Sequence, residues 1–162
     1  MKLLKAGVAA LALLGVASTA QANDNSGAYV NLGANALRVD VGVNVDFVSL
    51  SGKVGYNLNE NLGFEVQGDI GMSGEFGAEL DHFVGGFVVA KMPAGENFEL
   101  FARGGVFTAQ FSGGGATGAG EDFAAGVGGQ FFFTENDGIR FEYTNLAFEN
   151  AHMVGASYVR KF

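Results

Sequence analysis

The sequence predicts an all-β chain folded as an eight-stranded antiparallel up-and-down transmembrane β-barrel. Three observations carry that prediction. Over Phe47 to Met72 apolar residues recur at every second position, which sends alternate side chains to opposite faces of an extended chain. Each such run is about the ~9–11 residues that a tilted strand needs to cross a bilayer. The face opposite the apolar one carries full charges, so the apolar face points outward to lipid; a soluble barrel would turn it inward.

The chain begins Met1-Lys2-Leu3-Leu4-Lys5, continues through small and apolar residues over 6–19, and reaches Ala20-Gln21-Ala22. Two positive charges, a short apolar core and an Ala-x-Ala site describe a cleaved secretory signal peptide. A membrane-anchoring helix would need a longer apolar run. The expected organisation is a leader over 1–22 and one barrel domain over 23–162, which leaves 140 residues.

Beyond Ala22 no run of ~18 apolar residues occurs, so no transmembrane helix is expected, and the 48% hydrophobic content is spread as alternation. Without Lys2 and Lys5 the balance is 7 basic to 17 acidic residues, which argues against nucleic acid or anionic headgroups as partners through bulk charge. The absence of cysteine excludes a disulfide scaffold and Cys-ligated metals. One proline and 27 glycines fit a strand-rich chain with close backbone approaches.

The first strand is expected over 28–34, with Val30, Leu32 and Ala34 facing lipid and Asn31 and Gly33 inward. Residues 38–46 alternate polar positions with valine, and the apolar phase flips between Phe47 and Val48. That reads as a hairpin projecting past the membrane, with a bulge or turn absorbing the flip. The second and third strands enclose the turn Asn59-Glu60-Asn61; Val48, Leu50, Val54, Tyr56, Leu62, Phe64, Val66 and Ile70 share the outer face. A polar loop over 73–81 follows. The run from His82 to Met92 is apolar in both phases, so its facing stays open. After the turn at 93–97, Leu100, Ala102 and Val106 oppose Glu99, Arg103, Gly105, Phe101 and Phe107. The glycine-rich stretch 113–120 leads into a strand without a lysine, so it reads as a loop and not a phosphate cradle. In the sixth strand Phe123, Ala125, Val127, Phe131 and Phe133 oppose Asp122, Gly126, Gly128 and Gln130. An Asp-Gly turn at 135–138 precedes Ile139, Phe141 and Tyr143 against Arg140, Glu142 and Thr144. A loop over 145–150 precedes the last strand, which runs to Phe162. Short turns thus alternate with longer connections, as in outer-membrane barrels. Tyr56, Phe98, Phe133, Tyr158 and Phe162 fall near the short-turn end, where an aromatic girdle belongs.

The chain resembles the small outer-membrane β-barrel family that includes the OmpA membrane domain and OmpX. The likeness covers Gly27 to Phe162 and rests on Gly27-Ala28-Tyr29-Val30, the turn region 56–63, Leu100-Phe101-Ala102-Arg103-Gly104-Gly105 and the ending Ser157-Tyr158-Val159-Arg160-Lys161-Phe162. The terminal Phe162, with Tyr158 four residues earlier, is similar to the family's assembly signal for the outer-membrane insertion machinery. Arg160 departs from that pattern, and an interfacial arginine can snorkel. The resemblance implies a monomer in the outer membrane of a Gram-negative bacterium, with outer-membrane lipid and lipopolysaccharide as surroundings and the assembly machinery as a partner during biogenesis.

The inward charges are Lys53, Glu65, Asp69, Glu99, Arg103, Arg140 and Glu142. They read as a structural ion-pair network, because an eight-stranded barrel is just wide enough for side chains to fill and isolated buried charges are very costly. A gated polar pathway is the alternative, and Gly33, Gly63, Gly71, Gly105, Gly126, Gly128 and Gly155 would then leave water-filled gaps. Catalysis is not expected: His152 has only Glu149 near it, neither histidine has a serine partner, and the pattern for nucleophilic hydrolysis is missing. Two unclustered histidines give no metal site, and no cofactor is expected. A lipocalin-like binder is disfavoured by the inside-out polarity. The expected role is structural or surface-interacting and non-catalytic, with a small-solute channel as runner-up and a lipid-modifying hydrolase behind it. Any external ligand would bind through the connections at 35–46, 73–81, 112–121 and 145–150.

Overall fold

The computed structural model describes residues 26–40, 44–74, 78–113, 116–147 and 151–162; the expected leader, and with it the cleavage site, lies outside them. The described residues form eight strands: β1 (Gly27–Asp40), β2 (Asn44–Asn57), β3 (Leu62–Gly74), β4 (Ala78–Pro93), β5 (Phe98–Gly113), β6 (Ala116–Phe132), β7 (Asp137–Leu146) and β8 (Ala151–Lys161). Consecutive strands pair antiparallel and the sheet closes on itself. The seam runs from Tyr29↔Lys161 to Arg38↔His152. The Phe162 N–H donates to the Ala28 carbonyl at 3.0 Å and finishes the seam at the turn end.

The tight turns follow from local side-chain chemistry. Asn59 Oδ1 accepts the N–H groups of Asn61 and Leu62, both at 2.9 Å, an Asx arrangement that reverses the chain within a few residues. At the turn before β7, Thr134 Oγ1 accepts the N–H of Asp137 at 2.9 Å and donates to its carboxylate at 3.1 Å. This replaces the expected Asp-Gly turn, since Asp137 and Gly138 already belong to β7.

Outward positions form an apolar band. On β3 these are Phe64, Val66 and Ile70, and on β6 and the turn after it Phe123, Val127, Phe131 and Phe133. The five girdle aromatics are all exposed at the turn end. The open facing of β4 resolves with Phe83, Phe87 and Val89 inward and Val84 and Val88 outward. Val30, expected to face lipid, is buried.

Two expectations about the loop end are corrected. Stretches read as loops at 35–46, 73–81 and 112–121 are largely strand, because the β1–β2 ladder continues to Asp40↔Asn44 and the β5–β6 ladder to Gly113↔Ala116. Nor does the phase flip at Phe47. Leu37, Val39 and Phe47 are inward and buried, continuing the phase of Asn31 and Asn35, so what changes along the strand is the chemistry of the interior. A bulge does occur next to this point, between Val48 and Ser49 in the pairing with β3.

A closed ladder offers no free strand from which to unravel within the apolar band. The purified protein should therefore migrate differently on gels before and after boiling in detergent; identical mobility together with a helical circular dichroism spectrum would overturn the fold.

Candidate functional site: the barrel interior

The lumen is filled in three tiers. At the loop end Leu37, Val39, Phe47, Leu80, Phe83, Phe87, Phe107, Ala109, Ala124, Leu146, Ala151 and Met153 form one buried apolar cluster. Phe83 and Phe107 stack across it with ring centroids 5.1 Å apart. Sequence reading placed no apolar plug here, although the inward-phase phenylalanines of β4 and β5 were its signal.

Below the plug lies the charged tier. Glu65 on β3 receives Arg103 Nη1 at 2.8 Å and Arg140 Nη1 at 2.6 Å, and the Tyr29 hydroxyl donates to it at 3.0 Å. Glu142 on β7 receives Lys53 Nζ at 2.6 Å, Arg103 Nη2 at 3.0 Å and Arg140 Nη2 at 3.0 Å. Arg103 also donates to Gln67 Oε1 and Thr144 Oγ1, both at 2.8 Å. Each guanidinium lies over a ring: Arg103 over Phe87 at 4.3 Å and Arg140 over Phe101 at 4.0 Å. Two carboxylates thus hold three cations from β2, β5 and β7. Each guanidinium bridges the two carboxylates through its Nη atoms, an arrangement that suits arginine better than lysine, while Arg103 Nε and Arg140 Nε are buried without a hydrogen-bond partner among the described residues.

Asp69 and Glu99 stand apart from this cluster. Asp69 is buried higher on β3, where Gln67 Nε2 donates to it at 2.7 Å and Asn35 Nδ2 at 3.3 Å; among the described residues no cation lies within salt-bridge distance of it. Its charge still matters, because Glu65, Glu142 and Asp69 together balance Lys53, Arg103 and Arg140 in formal charge, with Lys91 buried nearer the turn end. Glu99 sits at the turn end, paired with Lys161 at 2.7 Å and accepting from Gln130 at 2.6 Å. There Lys91 bonds Asn57 and lies 4.5 Å over the Tyr29 ring, while Lys161 lies 3.7 Å over Phe132. A polar recess of about 330 Å³, lined in part by Asn57, Lys91, Glu99 and Lys161, opens at this end.

The inward glycines are not gaps. A Cβ on Gly128 would fall on the Phe101 ring and the Phe141 carbonyl, and one on Gly55 would fall on the Tyr29 ring. Glycine at these positions lets an aromatic side chain lie flat against the opposing strand, which is what brings Phe101 beneath Arg140. A Cβ added at Gly33, Gly63, Gly71, Gly105, Gly126 or Gly155 would likewise meet a neighbouring atom closer than 3.0 Å, so none of these positions has room for a side chain.

The other candidate residues lie outside the lumen. His152 is half-buried near the loop end, with its ring 6.1 Å from that of Tyr143, and Glu149 falls outside the described residues. Among the described residues no three His, Cys, Asp or Glu side chains are grouped to hold a metal ion. At the turn-end rim the Tyr158 hydroxyl bonds the Asp137 carboxylate, and Arg160 lies 3.4 Å from the same group. Phe162 is exposed.

A family model described as the outer membrane protein beta-barrel domain matches residues 7–162. No curated protein matches the chain. Among solved structures, the N-terminal β-barrel domain of Pseudomonas aeruginosa OprF is similar at a TM-score of 0.64 and 13% identity, over 85% of this chain and 99% of that one. Neisserial surface protein A is similar at 0.64 and 19%, over 86% and 100%. Ail, the attachment invasion locus protein of Yersinia pestis, solved in complex with the heparin analogue sucrose octasulfate, is similar at 0.61 and 16%, over 85% and 97%. At these identities the likeness concerns the fold.

Removing one partner of a buried charge cluster leaves the others uncompensated in a poorly solvated space. Arg103→Ala should cost about 3–5 kcal/mol in urea unfolding from lipid vesicles, whereas Glu79→Lys, at an exposed site, should stay within about 0.5 kcal/mol. Equal losses would mean that Arg103 is solvated.

Proposed function

Because the chain belongs to the outer membrane protein beta-barrel domain family, we propose that it is a non-conducting, non-catalytic scaffold of a Gram-negative outer membrane that carries its loop-end hairpins outside the cell. The filled lumen is the observation that supports this reading. A water file would have to pass the stacked Phe83 and Phe107 and then a cluster in which two buried carboxylates are ion-paired with three buried cations. Both barriers are built from buried side chains. The runner-up, a small-solute channel, draws on the polar recess at the turn end, which Lys91 lines.

The same reading assigns residues 1–22 to an export leader and Tyr158 with Phe162 to recognition by the assembly machinery. Lipid and lipopolysaccharide surround the apolar band. The protein acts as a monomer in this reading.

Planar-bilayer recordings of the purified protein test the sealed lumen: no discrete conductance steps are expected, and reproducible unitary steps in the unmodified protein would replace the scaffold by the channel. Deleting Phe162 separates recognition from packing. The residue is exposed, so its loss removes only part of the ~1.5–3 kcal/mol of a buried side chain, and refolding into detergent micelles should barely change. Assembly in cells should fall sharply, with protein left in the periplasm; matched yields in both settings would leave Phe162 a packing residue.

A further inference from the structure

The polar recess of about 330 Å³ at the turn end has no part in the scaffold role. Its volume is the share of on the order of ten waters, room for a small ligand or the end of a chain. Strand ends and two tight turns line it: Asn57 from β2, Lys91 from β4, Glu99 from β5 and Lys161 from β8, with Glu60 and Glu135 from the turns.

Lys91 is fixed through its backbone. Its N–H donates to the Asn61 carbonyl at 2.7 Å, and its carbonyl accepts from Asn61 Nδ2 at 3.1 Å. Both bonds lie just past the last β3–β4 pair, Leu62↔Ala90, so the side chain keeps the inward phase of Phe87 and Val89 and is buried. The ammonium donates to Asn57 Oδ1 and lies 4.5 Å from the centroid of the Tyr29 ring. Neither partner is an anion, and among the described residues no carboxylate lies within salt-bridge distance of Lys91. Glu99, the acid that shares the recess, is already engaged: Lys161 Nζ meets one oxygen at 2.7 Å and Gln130 Nε2 the other at 2.6 Å.

A buried cation without an anion is costly. Lys161 and Glu99 cancel, which leaves Lys91 as one positive charge on the inner lining. Asn57 accepts through its Oδ1, so the NH2 half of the same amide stays available as a donor. An ammonium with donors to spare and an amide NH2 beside it match the two oxygens of a carboxylate. The outer lining has the opposite sign, because Glu60 and Glu135 are exposed. Acids at the entrance oppose a dianion such as phosphate more strongly than a monoanion.

We infer that the recess at the turn end is a binding site for a single carboxylate, with Lys91 and Asn57 as its donors. Glu60 and Glu135 act as a filter against more highly charged anions. Two sources present that group: a small organic acid and the free C-terminus of a peptide chain. Capture of a terminal carboxylate by fixed donors is a recurrent mode of recognition. A chain entering by its end needs only the width of the bore mouth, whereas a folded surface does not reach a buried Lys91. With the loop-end hairpins outside the cell, the recess opens to the periplasm. Only this compartment rests on the proposed function; carboxylate binding is measured on the purified protein and stands or falls independently of conductance.

The purified protein in nanodiscs is titrated calorimetrically, at constant ionic strength, with an acetylated trialanine bearing a free carboxylate, its C-terminal amide, sodium propionate and inorganic phosphate. The free-acid peptide should bind at one site per barrel and its amide about tenfold or more weakly, as a charge-assisted contact is lost. Peptide binding at least about tenfold tighter than propionate assigns the site to a chain terminus, and comparable affinities assign it to a small acid. Lys91→Met removes the charge and keeps most of the stem, so it should weaken either ligand by about tenfold or more while the boiled and unboiled gel mobilities stay unchanged. Replacing both rim acids, Glu60→Gln with Glu135→Gln, should retain the carboxylate and strengthen phosphate. A readout on the unmodified protein needs no variant: the side-chain amide resonances of Asn57 should shift with the free-acid peptide and stay in place with its amide. Three results would each overturn the proposal: no saturable binding of the free-acid peptide or propionate, equal binding of acid and amide, or wild-type affinity in Lys91→Met.

Discussion

In hydrocarbon no backbone N–H or C=O can go without a partner, because each orphan costs several kcal/mol and no water is present to meet it. Closure of the sheet between β1 and β8 answers that constraint, and much of the rest of the molecule follows from it. Eight strands set a bore that side chains can fill. Outside the membrane water can take the place of a neighbouring strand, and that is where the ladder loosens. The early end of β7 at Leu146 occurs just beyond the apolar band and not within it.

Closure also fixes how the lumen must be filled. Large inward residues from one wall are accommodated by glycine on the strand opposite, as Phe101 is by Gly128 and Tyr29 by Gly55. The rings placed in this way lie against cations: Tyr29 under Lys91 and Phe101 against Arg140. Glycine, ring and cation thus act as one packing unit, repeated down the bore. The apolar plug removes water from above, which strengthens the charge pairs beneath it and makes each of them costly to break.

Much of the architecture was legible in the sequence because a strand's facing is a local property. Period-2 alternation and three short polar breaks give the number of strands, their order and the membrane-facing residues, and an up-and-down barrel needs little else. Where both phases are apolar, as over His82 to Met92, alternation carries no sign, and only the packing of Phe83 and Phe87 against β5 decides it. The interior at the loop end escapes alternation for a related reason. Val39 and Phe47 read as an apolar phase that flips at Val48 only if apolar means lipid-facing, whereas a lumen above the charged tier buries apolar side chains equally well.

The sequence by itself determined that this chain is a β-barrel with charges turned inward, because those features depend on neighbours two residues apart. Only the tertiary structure decided which charges meet. Lys53 reaches Glu142 across 89 residues, and Arg103 reaches Glu65 across 38, while Asp69 and Glu99, with the same inward phase, join neither. Height in the bore and the curvature of the wall make that choice. Both are set by the stagger of all eight strands together, which no local pattern records.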